Sequence, residues 1–215
     1  MAALASGAKA PDFELKTLDG KRVSLSEELS RGAVVLAFFK VSCPTCQYAF
    51  PFLDRLEKAY GRATRGGEPQ RLKPNANRDA DAALKGRSST ERDGVMQGRS
   101  STERSATGGE LPPTVSLIGI SQNDAKDTAS FVKEFGITFP VLLDDPRSYS
   151  ASNAYGLTNV PSIFWIAQDG EIEVSSVGWL RADFEEINRR MAETRKITPA
   201  VVFSAGESVR DFQAG

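Results

Sequence analysis

Phe13, Leu15, Val23 and Leu25 alternate with polar residues on either side of Asp19-Gly20. That alternation is the mark of half-buried strands folded back at a tight turn. Residues 11–29 therefore predict a β-hairpin, followed by a short helical turn at Ser26-Glu27-Glu28. Ala33-Val34-Val35-Leu36-Ala37-Phe38-Phe39 comes next as an unbroken apolar run, the pattern of a strand buried on both faces. From Gln47 to Tyr60 the period lengthens, with Phe50, Leu53, Leu56 and Tyr60 at helical spacing. Pro51 lies inside that helix, where it is expected to kink it.

The pattern stops after Gly61. Residues 62–112 are rich in Arg, Gly, Ser, Thr, Asn and Pro, and Gly-Arg-Ser-Ser-Thr-Glu-Arg occurs twice, at 86–92 and 98–104. Such a segment buries too little apolar surface to offset the entropy of ordering it, so it predicts a flexible surface insertion. An Arg-bearing arm for a partner is the sharper alternative. Two copies are too few for a solenoid.

Order resumes at Thr114–Ile120 as a second buried strand. Asp124 to Phe135 predicts an amphipathic helix closed by Gly136. A short strand at Phe139–Leu143 and a short helix at Ser150–Tyr155 come after it. Ser162–Ala167, the Asp169-Gly170 turn and Glu171–Val174 predict a strand–turn–strand, and Ala182–Ala192 the last clear helix. The tail from Ile197 to Gly215 offers only Val201-Val202-Phe203 as a small apolar anchor and predicts little other order. Strands alternating with helices make this an α/β chain with a mixed central sheet.

Composition narrows the chemistry. The 215 residues carry a net charge of −1 with 26% charged side chains, which argues against a nucleic-acid binder held by a general electrostatic field. Histidine is absent altogether, so His-based acid–base catalysis, Cys-His nucleophiles and histidine metal ligands are excluded. The N-terminal residues lack the basic and apolar regions of a signal peptide, and no window approaches a transmembrane span. A cytoplasmic protein is the default expectation; a periplasmic or otherwise extracytoplasmic one is expected if a leader has been removed.

The two cysteines stand together as Cys43-Pro44-Thr45-Cys46, between the first buried strand and the helix. At a helix start this spacing lets one thiolate attack a disulfide while the other waits to resolve the mixed disulfide. Cys43 belongs at the exposed N-terminus, where unpaired N–H groups and the helix dipole favour a thiolate, and Cys46 lies one turn deeper. A zinc site needs two more ligands, which only a dimer sharing four thiolates could supply. Pro44 stiffens the turn and Thr45 is permissive. Lys40 could act on a cysteine through its charge, although a solvated strand-end lysine is the plainer reading. Trp165 and Trp179 fit core or edge packing.

With strand, Cys-Pro-Thr-Cys turn and helix in place, the chain resembles the thioredoxin fold, and within it the redoxins, which include TlpA-like thiol–disulfide oxidoreductases and peroxiredoxins. The resemblance covers about 10–61 and 113–191. Ala10-Pro11-Asp12-Phe13 with Leu18-Asp19-Gly20-Lys21 is similar to the group's N-terminal hairpin. Pro51, five residues after Cys46, is similar to the fold's helix-kinking proline, and Gly156–Ser162 to the loop that carries its cis-proline. The resemblance implies a domain over 1–191, interrupted at 62–112, with 192–215 as a tail. It also implies a mixed sheet flanked by helices, with an N-terminal β-hairpin.

Three positions depart from the family pattern. Ser42 replaces a Trp common before the first cysteine, Ala37 replaces a buried Asp, and Ala49 replaces a Glu found in some TlpA-like reductases. The resemblance implies that Cys43 attacks and Cys46 resolves, and that Pro44, Thr45, Val160 and Pro161 bind substrate, with Val160-Pro161 cis and facing the cysteines. It implies no cofactor beyond the redox-active Cys43–Cys46 pair. A protein disulfide or dithiol substrate, an upstream thiol reductant and a monomeric state are expected. A peroxidase of the peroxiredoxin kind is the alternative, but the Pro-x-x-x-Thr/Ser-x-x-Cys loop that orients peroxide is missing before either cysteine. A non-catalytic binding module is the third possibility.

Overall fold

The computed structural model describes residues 3–61 and 114–215. The repeat-bearing segment 62–112, with its predicted insertion, lies outside the described residues.

The hairpin forms as strands β1 (Glu14–Thr17) and β2 (Arg22–Ser24), antiparallel with Leu15 opposite Val23. Gly20 takes φ +82°, which suits glycine at the turn. Ser24 caps α1 (Leu25–Leu29) by accepting the Glu27 N–H. The apolar runs become β3 (Gly32–Phe39) and β4 (Thr114–Ser121), parallel and wholly buried. Between them in sequence, α2 (Pro44–Tyr60) starts three residues earlier than its apolar spacing indicates, and Pro51 lies inside it without ending it.

Then come α3 (Ala125–Glu134), capped by Asp124, β5 (Val141–Leu143), α4 (Ser150–Ala154), β6 (Ser162–Ile166) and β7 (Ile172–Val177). Helix α5 (Arg181–Arg195) comes directly after a two-residue strand, β8 (Trp179–Leu180). The main sheet runs β2-β1-β5-β4-β3-β6-β7, with β3, β4 and β5 parallel and the other pairings antiparallel. This is a mixed α/β thioredoxin-like fold.

The period of two in β3 sorts its side chains into two cores. Ala33, Val35, Ala37 and Phe39 pack with α2 and α5, whereas Val34, Leu36 and Phe38 pack with Leu25, Tyr155 and Phe164 on the other face. Each fully buried Leu, Val or Phe side chain contributes about 1.5–3 kcal/mol. The end of β3 is thereby pinned from both sides, and it is this end that carries the cysteine turn.

The tail departs from expectation. Residues 197–215 are fixed on the domain rather than loosely ordered, and Phe212–Gln213 forms strand β9 against β8. Of the expected anchor, Val202 is buried and Phe203 packs edge-on against Phe52, but Val201 is 78% exposed. Hydrogen bonds do the rest. Tyr60 Oη accepts the Ala200 N–H at 2.6 Å, Asn188 Nδ2 donates to Ala200 O at 2.9 Å, and Arg55 forms a two-pronged pair with Glu207 at 2.7 and 2.9 Å. Trp179, fully buried, donates Nε1–H to Arg210 O at 2.6 Å.

Candidate active site

The turn after β3 is closed by Cys43 N–H donating to Lys40 O at 3.1 Å, and Gln47 Nε2 donates to Val41 O at 2.9 Å. Cys43 is the N-cap of α2. It has extended backbone angles, and its Sγ accepts the Cys46 N–H at 3.2 Å, the role a Ser or Asp oxygen usually takes. Pro44 occupies the first helical turn, where its missing N–H costs nothing. The sequence Cys-Pro-Thr-Cys thus builds its own helix start, and the cap places the sulfur over the exposed amide end.

Both thiols are free, but their surroundings differ. Cys43 is partly exposed and Cys46 fully buried. Cys46 shares its core with Ala37, Ala49, Phe50 and Ile163. Burial there pushes the Cys46 thiol well above the ordinary range, and its hydrogen bond with Cys43 adds to the effect, while a backbone hydrogen bond at Lys40 opposes it. Ala37 and Ala49 are part of this apolar enclosure and put methyl groups into it.

The Val160-Pro161 peptide bond is cis. Its loop faces the thiols, for Cys43 Sγ lies 3.2 Å from Val160 O in hydrogen-bond geometry. The structure therefore brings Cys43, Cys46, Thr45 and Val160 together across a separation of 117 positions between Cys43 and Val160. Lys40 is exposed, with its ammonium 5.6 Å from the Tyr149 ring centroid. Trp165 and Trp179 are core residues, Trp165 donating to Glu173 at 3.0 Å.

Thr45 is more than permissive. It is buried, donates Oγ1–H to Ala214 O at 2.6 Å and accepts from Gln213 Nε2 at 2.8 Å. Asn159 Nδ2 donates to Gly215 O at 3.2 Å. Sequence reasoning missed Asn159, Gln213, Ala214 and Gly215 as residues of this site. The only local signal was the apolar 201–203 anchor, which sits well upstream of the contacts at 213–215. Among the described residues, no helix is long and apolar enough to cross a membrane.

Several known proteins are similar to this chain. The Redoxin family profile matches residues 5–64. The chain is 23% identical over 172 residues to the thiol-disulfide oxidoreductase ResA of Geobacillus thermodenitrificans, covering 80% of this chain and 68% of that one. It is 22% identical over 170 residues to the ResA of Bacillus subtilis, covering 79% and 65%. The chain thus spans about two thirds of the length of these relatives. Among solved structures, a thiol:disulfide interchange protein of the thioredoxin family from Chlorobium tepidum superposes with a TM-score of 0.53 at 24% identity, over 88% of this chain and 99% of that one.

Proposed function

We propose that this chain, similar to redoxins and to thiol–disulfide oxidoreductases, uses Cys43 and Cys46 to exchange disulfides with protein substrates. The observation that carries this is the asymmetry of the two thiols: one caps a helix at the surface, and the other is sealed behind it. Cys43, as thiolate, attacks one sulfur of a substrate disulfide, forming a mixed disulfide and releasing one substrate thiol. Cys46, as thiolate, then attacks the Cys43 sulfur. That step forms the Cys43–Cys46 disulfide and releases the second substrate thiol, so the two electrons come from the dithiol.

An upstream dithiol returns the pair to the reduced state by the reverse exchange, and no further cofactor is needed. Thr45, Val160 and Pro161 line the approach to Cys43 and bind the substrate backbone, with Pro44 shaping the turn. The protein acts as a monomer. The likeness to ResA proteins supports an extracytoplasmic place of action over the cytoplasmic default.

Two assays on the reduced protein test the reaction class. Incubated with insulin, it should reduce the disulfides at a rate that Cys43→Ser abolishes. Incubated with hydrogen peroxide, it should lose thiols slowly. Rapid peroxide consumption with sluggish insulin reduction would make it a peroxidase instead, and no reaction in either assay would leave a binding module.

A further inference from the structure

The residues that meet the site from the tail do so as a bound peptide would. Gln213 pairs with Trp179, Ala214 O accepts from Thr45 Oγ1, and Gly215 O accepts from Asn159 Nδ2. At two positions the backbones pass so close that a side chain is excluded. A Cβ on Gly215 would lie 2.5 Å from Val160 O, and one on Gly178 would lie 2.7 Å from Gln213 O. Gly178 also has φ +83° and donates its N–H to Pro161 O at 2.7 Å, so it belongs to the same loop cluster. Val160 O, the atom beside Gly215, is the one that Cys43 Sγ contacts.

The holding forces divide at about residue 211. Upstream, the segment is tied down by Glu207 on Arg55, by Arg210 O on Trp179, by Arg210 N–H on Tyr48 Oη at 3.0 Å and by Asp211 O on the Arg181 N–H at 2.9 Å. Downstream, Phe212 is 62% exposed, and residues 213–215 are held by a two-residue strand pairing and a few polar bonds. Edge pairing plus backbone hydrogen bonds to side chains is also how an extended polypeptide is recognised.

We propose that residues 212–215 are a built-in occupant of the polypeptide groove formed by Thr45, Val160 and Gly178, which an incoming substrate must displace. This rests on the disulfide-exchange reading for the identity of the competitor. The groove then selects extended chain with a glycine opposite Val160, because even a Cβ would collide with the carbonyl there. A firm anchor ending at 211 keeps the occupant at high local concentration. If it is seated about nine-tenths of the time, it raises the apparent KM for a protein disulfide about tenfold.

The test deletes residues 212–215 from the full chain and measures turnover of a protein disulfide. KM should fall about tenfold with kcat unchanged, and a synthetic Asp-Phe-Gln-Ala-Gly peptide should restore the higher KM by competition. An unchanged or higher KM in the folded variant overturns the proposal, as does a peptide that does not compete. Should the deletion fail to fold, Gly215→Val carries the same test, since its side chain collides with Val160 O. The KM should again fall, and an unchanged KM overturns the idea.

Alkylation of Cys43 by a bulky maleimide separates this proposal from the reaction class. It should be several-fold faster in either variant even if neither protein turns over a disulfide. Equal rates would refute the occupant while leaving disulfide exchange untouched.

Discussion

The helix start that carries the cysteines and the tail that reaches it meet at Thr45, yet they are held by opposite means. The first turns of α2 are fixed by burial: Cys46, Ala49, Phe50 and Leu53 are all fully enclosed between the sheet and its neighbours. The tail is fixed largely by side chains donating to or accepting from its backbone, with an apolar hold from Ala200, Val202, Phe203 and Val209 against the core around Trp179. Burial makes a rigid platform for a reactive sulfur. Beyond residue 211 only a handful of polar bonds, each contributing about 0.5–1.5 kcal/mol, holds the end of the tail in place.

The largest break in this comparison is expected at Trp179, whose indole touches both segments. Its indole lies 4.9 Å from both Tyr48 and Phe52 of α2, 4.3 Å from Phe184 of α5, and 6.0 Å from Phe203 of the tail. Trp179→Ala should cost about 3–5 kcal/mol in chemical denaturation. It should also release the tail, seen as faster proteolysis after residue 196. A cost below about 1 kcal/mol would show that the tail and helix are not coupled through this ring.

A smaller effect comes from the enclosure of Cys46. Because burial raises its thiol, Cys46 stays protonated at pH values where a free thiol has begun to ionise. The resolving step should therefore quicken about tenfold per pH unit and show no plateau up to pH ~9, read by stopped-flow decay of a preformed mixed disulfide. The sign for stability is the opposite. The unfolded thiol ionises first, near 9.0, so the reduced protein is at full stability below that pH and loses it as pH rises further. A plateau near pH 7 would mean that an unrecognised base serves Cys46.

The smallest effect belongs to the tail anchor. Arg55 holds the Glu207 carboxyl down at about 2, so this contact is complete above pH 4.5 and is lost as the pH falls towards 2. Glu207→Gln should cost about 1 kcal/mol and abolish that acid dependence of tail protection in hydrogen exchange. Unchanged protection across the acid range would assign the anchoring to the apolar contacts and the uncharged hydrogen bonds from Tyr60, Asn188 and Trp179.

Much of the platform was legible in the sequence because its signals are local. The unbroken apolar runs became β3 and β4, Asp19-Gly20 became the hairpin turn, and the Cys-Pro-Thr-Cys spacing became a capped helix start. The helix begins at Pro44 rather than Gln47 because capping by Cys43 Sγ, not apolar spacing, sets its first turn. The tail was illegible for the converse reason. Tyr60, Arg55 and Tyr48 hold it from 140, 147 and 162 positions away, and Asn188 from 12. Hydrogen bonds from such places leave no period along the chain. Thr45 illustrates the cost. Between two cysteines it reads as a spacer, but its hydroxyl is where tail and helix meet.

The central claim is that Cys43 attacks and Cys46 resolves, and trapping tests it most directly. Cys46→Ser, reduced and mixed with a protein disulfide, should accumulate a stable intermolecular disulfide through Cys43 that dithiothreitol releases. Cys43→Ser should accumulate none, since its remaining thiol is sealed in the core. Equal trapping by the two variants, or trapping only through Cys46, would contradict the account.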